Sequence, residues 1–507
     1  MADLPVDLVD LLIFNASIID GTGTARFKGA VAILADKIVG VFDEHQQESA
    51  WALKAQMAHS KLVFDAKGMV LSPGFIDAHT HDDRLLLSDP QMMPKLSQGV
   101  TTVIAGNCGI SLAPMPKAFE KAVTPPLNLL DESGDWFRFK DFASYVQALR
   151  DQPSAINCAL LVGHTTLRVA VMEDLNREAN EAEISAMREQ VSEALNAGAI
   201  GVSTGLYYEP AKAASTQEVI EICRPLKASK GVYCTHMRDE AGGLLASLDE
   251  SFLVGREVDA PVIISHLKVV GVKNYGQSSR ALDHIQAHQG SQEICFDCYP
   301  YPASSTILSF DRALTASRVI VTWSKAMPEM AGKDLSAIAQ KLELNEEETI
   351  QRLDPAGAIY FRMDESDVQT ILSHPQVMIG SDGLPHDEFP HPRLWGSFTK
   401  VLGHYSRTLG LFPLESAIRK MTSTTAKNFR LSGRGEIRVG YYADLTLFDP
   451  EQVDAVSSYE RPVAASRGIL GVWVNGEMVY QDGRATGRFS GHVLGHQDHT
   501  NKFTSAF

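Results

Sequence analysis

Basic residues are scarce in this 507-residue chain: 46 Lys and Arg face 62 Asp and Glu, a formal charge of −16. A surface of that sign repels phosphate backbones and anionic lipid, which argues against nucleic-acid or membrane-surface partners. Long apolar runs are missing too. No stretch of roughly 18 uncharged apolar residues occurs, so no membrane span is expected. The opening "MADLPVDLVDLLIFNAS" has acids in place of a basic leader and lacks a small-residue cleavage site, so no signal peptide is expected. Cysteine is sparse, at positions 108, 158, 223, 234, 295 and 298. In a long, unexported chain these read as free thiols of a reducing cytoplasm. Cys295 and Cys298 form a C-x-x-C, but in a strand they face opposite sides and read as two separate core thiols. No Gly, Pro or Ser tract suggests disorder.

What is present is a pattern of strands and helices. Short β-rich runs fill the first segment ("DLLIFNASIIDGTG", "VAILADKIVGVF", "KLVFDAKGMVLSPG") and return near the end ("GYYADLTLFDP", "GILGVWVNGEMVYQDG"). Two β-rich ends around a different middle predict one small β-sandwich built from residues 1–70 and 426–485, followed by a tail, 486–507. "VNGEMV" signals a tight Asn-Gly hairpin. Between the ends, 71–425, eight apolar runs alternate with helical patterns: "GFIDAHTH", "TTVIAGNCG", "NCALLVGH", "AIGVSTG", "GVYCTHMRDE", "PVIISHLK", "EICFDCYPY" and "VMIGSDG". Ile184, Met187, Val191 and Leu195 recur at helical spacing, and Ser215 with Glu218 is a helix-start signature. Eight strand-helix units predict a (β/α)₈ barrel.

All but one of these runs are apolar first and chemical last. His79 and His81, Cys108, His164, His236, His266, Tyr299 and Asp382 fall at seven of the eight strand ends, the active-site face of such barrels. Asp77, His79 and His81 alternate in "GFIDAHTHDD" and would share one side of an ideal strand. His79, His81, Cys108, His236, His266 and Asp382 are metal-ligand types, with imidazole and thiolate suited to Zn²⁺ and a carboxylate able to complete the site or act as base. Cys108 as a nucleophile with a His base ranks lower, because one base does not account for four imidazoles. Lys268, two residues after His266, and Arg393, just beyond Asp382, are candidate cations for a substrate carboxylate. About 303–365 is too long for a barrel loop and reads as a helical lid.

"GFIDAHTHDD" and "GYYADLTLFDP" resemble the amidohydrolase superfamily. "SQGVTTVIAGNCGISLAP", "GVYCTHMRDE", "VIISHLKVVG", "YPYPASST" and "MIGSDGLPHDEFPHPRLWGSF" resemble its D-aminoacylases, the N-acyl-D-amino-acid deacylases. The resemblance implies one tightly bound zinc on Cys108, His236 and His266, and a second, weaker metal position at His79 and His81. It implies Asp382 as general base and acid, and places Tyr299 and Ser305 with Lys268 and Arg393 around the substrate's α-carboxylate. The fourth strand offers no Lys to bridge two metals, which suits a bridging Cys108. The implied reaction is hydrolysis of an N-acyl-D-amino acid to a carboxylate and a free D-amino acid. N-acyl-D-glutamate or N-acyl-D-aspartate deacylation, opening of a cyclic amide or imide, D-dipeptide hydrolysis and a non-catalytic scaffold stand as alternatives. An acidic side chain would need a further cation, for which Arg312 and Arg318 are candidates; the reading leans to apolar substrates. His164 and His386 are left without a role.

Overall fold

The computed structural model describes residues 8–116 and 123–495. The first seven residues of the N-terminal run, and the tail beyond 495, lie outside the described residues.

Eight parallel strands form the central sheet, here numbered β1 (Phe75–Asp77), β2 (Val100–Ala105), β3 (Asn157–Gly163), β4 (Gly201–Gly205), β5 (Val232–His236), β6 (Val262–Ile264), β7 (Ile294–Cys298) and β8 (Met378–Ile379). They pair in sequence order from β1 to β8. The sheet closes on itself between β8 and β1. Ala78 N–H donates to Ile379 O at 3.1 Å and Asp382 N–H to His79 O at 2.8 Å, and Thr80 bridges Gly383. All eight sequence-predicted runs are staves of this barrel.

Alternation along each stave sorts the core. Ile76, Ile104, Ala159, Leu161, Val232, Cys234, Ile263 and Met378 pack together inside. Phe75, Val103, Ala105, Leu160, Val162, Tyr233, Val262, Ile264 and Phe296 face the surrounding helices. Cys295 packs with the inner set and Cys298 with the outer one, on opposite faces as expected. Glu181–Ala197 shows how a helix of the outer ring is specified. Asn180 and Glu183 cap its start reciprocally, and Gly198 ends it at a φ of 115° that costs a side-chain-bearing residue strain. Its Met187, Val191, Ala194 and Leu195 are buried, each of the three larger side chains contributing about 1.5–3 kcal/mol.

Strands from both ends of the chain make the second domain. Val9–Ile18, Phe27–Leu34, Lys37–Asp43, Ser60–Asp65 and Val70–Pro73 share one nine-stranded sheet with Leu445–Phe448, Ile469–Val474, Glu477–Gln481 and Arg484–Ala485. Its core holds Ile13, Val31, Leu445 and Trp473, with Phe64 edge-on to Trp473 at 5.3 Å. The Asn475–Gly476 turn has φ of 49° and 83° and joins two of these strands. Val493–Leu494 pairs with β3, so the chain beyond the sandwich returns to the barrel wall.

The long insertion folds as a three-stranded antiparallel sheet, Ala303–Ile307, Ala356–Phe361 and Arg318–Ser324. Helices Leu335–Leu342 and Glu346–Leu353 flank it. Ser304, Ser305, Thr306 and Arg362, from this insertion and its end, wall the cavity at the barrel mouth. No helix among the described residues is long and apolar enough to cross a membrane.

Candidate functional site

Strand ends bring six donors to one point. Cys108 Sγ lies 3.2 Å from His79 Nε2 and 3.4 Å from His266 Nε2. His266 Nε2 lies 3.1 Å from His236 Nδ1. On the other side, Asp382 Oδ1 is 3.2 Å from His81 Nε2 and 3.5 Å from His79 Nε2. Two ligand groups result, Cys108–His236–His266 and His79–His81–Cys108–Asp382, each with donor atoms within 4.8 Å of one another. The sulfur belongs to both.

Backbone strain aims three of these side chains. Cys108, His266 and Asp382 have φ of 52°, 37° and 50°, a left-handed conformation that non-glycine residues hold only when their surroundings fix it. In β6 the parity of His266 is that of the outward-facing Val262 and Ile264. The left-handed turn at His266 accompanies the return of its ring to the interior, 4.4 Å from the His236 ring.

Charges are arranged for a cation. Burial works against a thiolate at Cys108, but the His79 and His266 imidazoles override it and hold the thiol well below its ordinary range. Burial would raise the Asp382 carboxyl, yet Arg393, with His81 next, holds it well below the usual carboxylate range. Burial pulls His81 down, while Asp382 and Cys108 bring it up to about 9. His266 Nε2 faces both a sulfur and another imidazole nitrogen, so several lone pairs converge on one dry point that a shared divalent ion would satisfy. Thiolate, imidazole and carboxylate fit zinc.

The remaining predicted residues surround that centre. Lys268 ion-pairs closely with Glu240, and its Nζ is 2.8 Å from His266 Nδ1. Tyr299 and Ser305 line the cavity. Arg393 is fully buried behind this wall; its Nη1 is 2.7 Å from Asp382 Oδ2 and its Nη2 donates to Ser305 O at 3.2 Å. Its guanidinium stacks 4.7 Å from the Tyr299 ring centroid.

Some residues go elsewhere. Asp77 stays out of the metal cluster, because the strand ends there and alternation stops. It takes Lys95 Nζ at 2.8 Å and the Ser381 N–H at 2.8 Å, fixing the backbone next to Asp382. His164 pairs with Glu218 at 3.0 Å, beside the Arg168–Glu218 ion pair, in a buried cluster of its own. His386 belongs to neither ligand group, and burial, with Arg84, pushes its imidazole down to about 3. Ser203 of "GVSTG" satisfies a G-x-S-x-G pattern, yet its hydroxyl is buried on Gly106 O and the Gly109 N–H, a strut under the Cys108 turn.

The sequence reading missed Glu240, Asp297, Tyr207, Tyr208 and Arg362. Glu240 accepts from Lys268 and lies 3.2 Å from His266 Nδ1 and 3.7 Å from His236 Nε2. Asp297 lies 3.6 Å from His79 Nδ1 and accepts the His266 N–H at 2.9 Å. Carboxylates behind imidazoles orient metal ligands. Their signals were the spacing of Glu240 four residues after His236 and the inward parity Asp297 shares with Cys295.

A parallel eight-stranded barrel with a thiolate-, imidazole- and carboxylate-lined mouth defines a hydrolase of the metal-assisted class. The chain belongs to the amidohydrolase family, whose model matches residues 62–272 and 329–480. It is 50% identical to a D-aminoacylase of Alcaligenes xylosoxydans xylosoxydans, over 96% of this chain and 97% of that one. It is 48% identical to an N-acyl-D-aspartate deacylase of the same organism, over 96% of this chain and 95% of that one. A solved D-aminoacylase with a binuclear metal centre, described by one-metal activation and second-metal attenuation, superposes with a TM-score of 0.91 at 50% identity. An N-acyl-D-glutamate deacylase from Bordetella bronchiseptica, complexed with zinc and a phosphonate mimic of the tetrahedral intermediate, gives 0.89 at 40% identity. Both alignments cover 96% of this chain and all of the other.

Proposed function

We propose that this chain is a zinc-dependent deacylase of N-acyl-D-amino acids, a cytoplasmic enzyme whose partner is its small-molecule substrate. The observation that carries the reading is the position of Asp382, a buried carboxylate held ionised at the edge of a cluster in which one thiolate serves two ligand groups. Cys108, His236 and His266 would hold the tighter zinc, and His79, His81, Cys108 and Asp382 a second, weaker one. Bound there, zinc supplies Lewis acidity to an amide carbonyl and acidifies a water molecule.

The protein's own groups perform the proton transfers. Asp382 takes a proton from the attacking water and returns it to the nitrogen of the departing amine, one carboxylate acting as base and then acid. Lys268, Tyr299 and Ser305 would form the clamp for the α-carboxylate with Arg393 braced behind them, and the Arg393–Asp382 ion pair couples that clamp to the proton carrier. The insertion walls the cavity and excludes bulk water, which strengthens every charge interaction inside.

The test is a panel of N-acetyl-D- and N-acetyl-L-forms of Leu, Met, Phe, Glu and Asp, compared by kcat/KM before and after chelation. D-forms should be cleaved, chelation should abolish the activity and zinc should restore it. Preference for an L-form overturns the reading.

A further inference from the structure

A further set of metal-ligand side chains stands on the outer ring of helices, apart from the barrel mouth. Helix Leu244–Val258 follows β5 and helix Ser278–Gln289 follows β6. His284 and His288 lie one turn apart on the second of these, and Asp249 meets them from the first. His284 Nε2 is 2.7 Å from Asp249 Oδ1. One donor atom from each of the three falls within 4.8 Å of the others. None of the three lines the cavity or belongs to the ligand groups built on Cys108.

Three features hold these donors ready. Residues four apart on a helix share a face, so the spacing His-x-x-x-His turns two imidazoles toward one ion. His288 Nδ1–H donates to His284 O at 2.9 Å. A carbonyl only accepts, so this bond fixes the neutral tautomer and leaves the lone pair on Nε2. Fully buried Phe252 packs against both rings, with centroids 5.8 Å from His284 and 4.9 Å from His288, and the two imidazoles lie 4.7 Å apart. That packing restricts their rotamers before any ion arrives. A plain surface pair of Asp249 with His284 contributes little, and it makes no use of His288. The chain's charge of −16 adds a field that favours cations.

We propose that His284, His288 and Asp249 form a peripheral site for a divalent transition ion of the zinc type, which clasps the two helices together from outside. Two imidazoles and a carboxylate are zinc ligands by type, and water completes the set. Solvent reaches this site, since the Asp249 side chain is 59% exposed and that of His284 26%. Its ion therefore exchanges with solution more readily than one held at the buried centre, and zinc-free buffer removes it first. The helices so joined follow the strands that lead to His236 and His266. The proposal does not depend on the deacylase reading.

The experiment compares the full-length wild type with a variant carrying both His284→Gln and His288→Gln, and with Asp249→Asn. Each protein is dialysed against rising concentrations of buffered free zinc, and bound zinc per chain and Tm are measured at every step. The wild type should bind one zinc more than the double variant. Asp249→Asn should need at least about 10-fold more free zinc to take up that ion, since a lost ligand costs no less than a lost orienting group. At a free zinc of about 100 times the dissociation constant, the zinc-dependent rise in Tm should be larger in the wild type than in the double variant by about 2–3 °C. Each protein is compared with itself before zinc is added, so a folding cost of the substitutions does not imitate the result. Magnesium, which seeks oxygen ligands, should produce no such difference. Equal zinc per chain in the wild type and the double variant overturns the proposal, and so does a magnesium response that matches that of zinc.

Discussion

Glu240→Gln isolates a carboxylate that stands behind two of the proposed metal-ligand imidazoles. The substitution keeps the shape and removes the charge, leaving the Lys268 ammonium buried, its side chain 5% exposed, without its close partner. Removing one member of a buried ion pair costs about 3–5 kcal/mol. At about 2 cal/mol/K of unfolding entropy per residue over this length, that is a fall of about 3–5 °C in Tm. The second effect is on metal. Glu240 lies 3.2 Å from His266 Nδ1 and 3.7 Å from His236 Nε2, and losing such an orienting group weakens metal binding about 10- to 100-fold. Competition with a chromophoric chelator reads the zinc affinity, and a thermal melt of the same sample reads the stability. Unchanged zinc affinity with a lowered Tm would refute the orienting role and leave Glu240 as a counter-ion alone.

Two further substitutions follow from the same geometry. Cys108→Ala removes the sulfur common to both ligand groups, so metal analysis of the purified variant should find both zinc and turnover lost; full zinc with normal turnover would contradict the ligand assignment. Glu218→Gln tests the buried cluster away from the metal. Burial would raise the Glu218 carboxyl, but His164 and Arg168 hold it at about 2 against an ordinary 4.5. That stabilisation, at most about 3 kcal/mol, is fully present above pH 4.5 and disappears as pH falls toward 2. Denaturant melts should show the widest gap between wild type and variant near neutrality, closing in acid; a gap that widened in acid would reverse the sign of the argument.

The barrel was legible because every stave is an apolar run and seven of the eight end on a chemical residue. The Asn475–Gly476 hairpin was legible because its positive φ values select those residues. Alternation carried the reading as far as the strands persist, and failed one residue past them. Asp77 was grouped with His79 and His81, yet it serves Lys95 and the Ser381 backbone. Glu240 and Asp297 were missed because their signals, a four-residue spacing after His236 and an inward strand parity with Cys295, are shared by many acids that orient no ligand. Arg362 was passed over for a different reason. In "YFRMDE" it reads as a surface charge beside acids, and only the fold shows that it lines the cavity.

Whether Asp382 moves the proton in a zinc-dependent amide hydrolysis is decided by Asp382→Asn. The asparagine preserves the shape against His81 and Arg393 but cannot accept the water proton. Zinc content and kcat should be measured together on the variant and the wild type, with the best N-acetyl-D-substrate. Zinc should be retained, KM little changed and kcat lower by at least about 10³-fold, within the range that a positioned general acid-base group supplies. Turnover that survives while KM alone rises would make Asp382 a binding residue and contradict the mechanism.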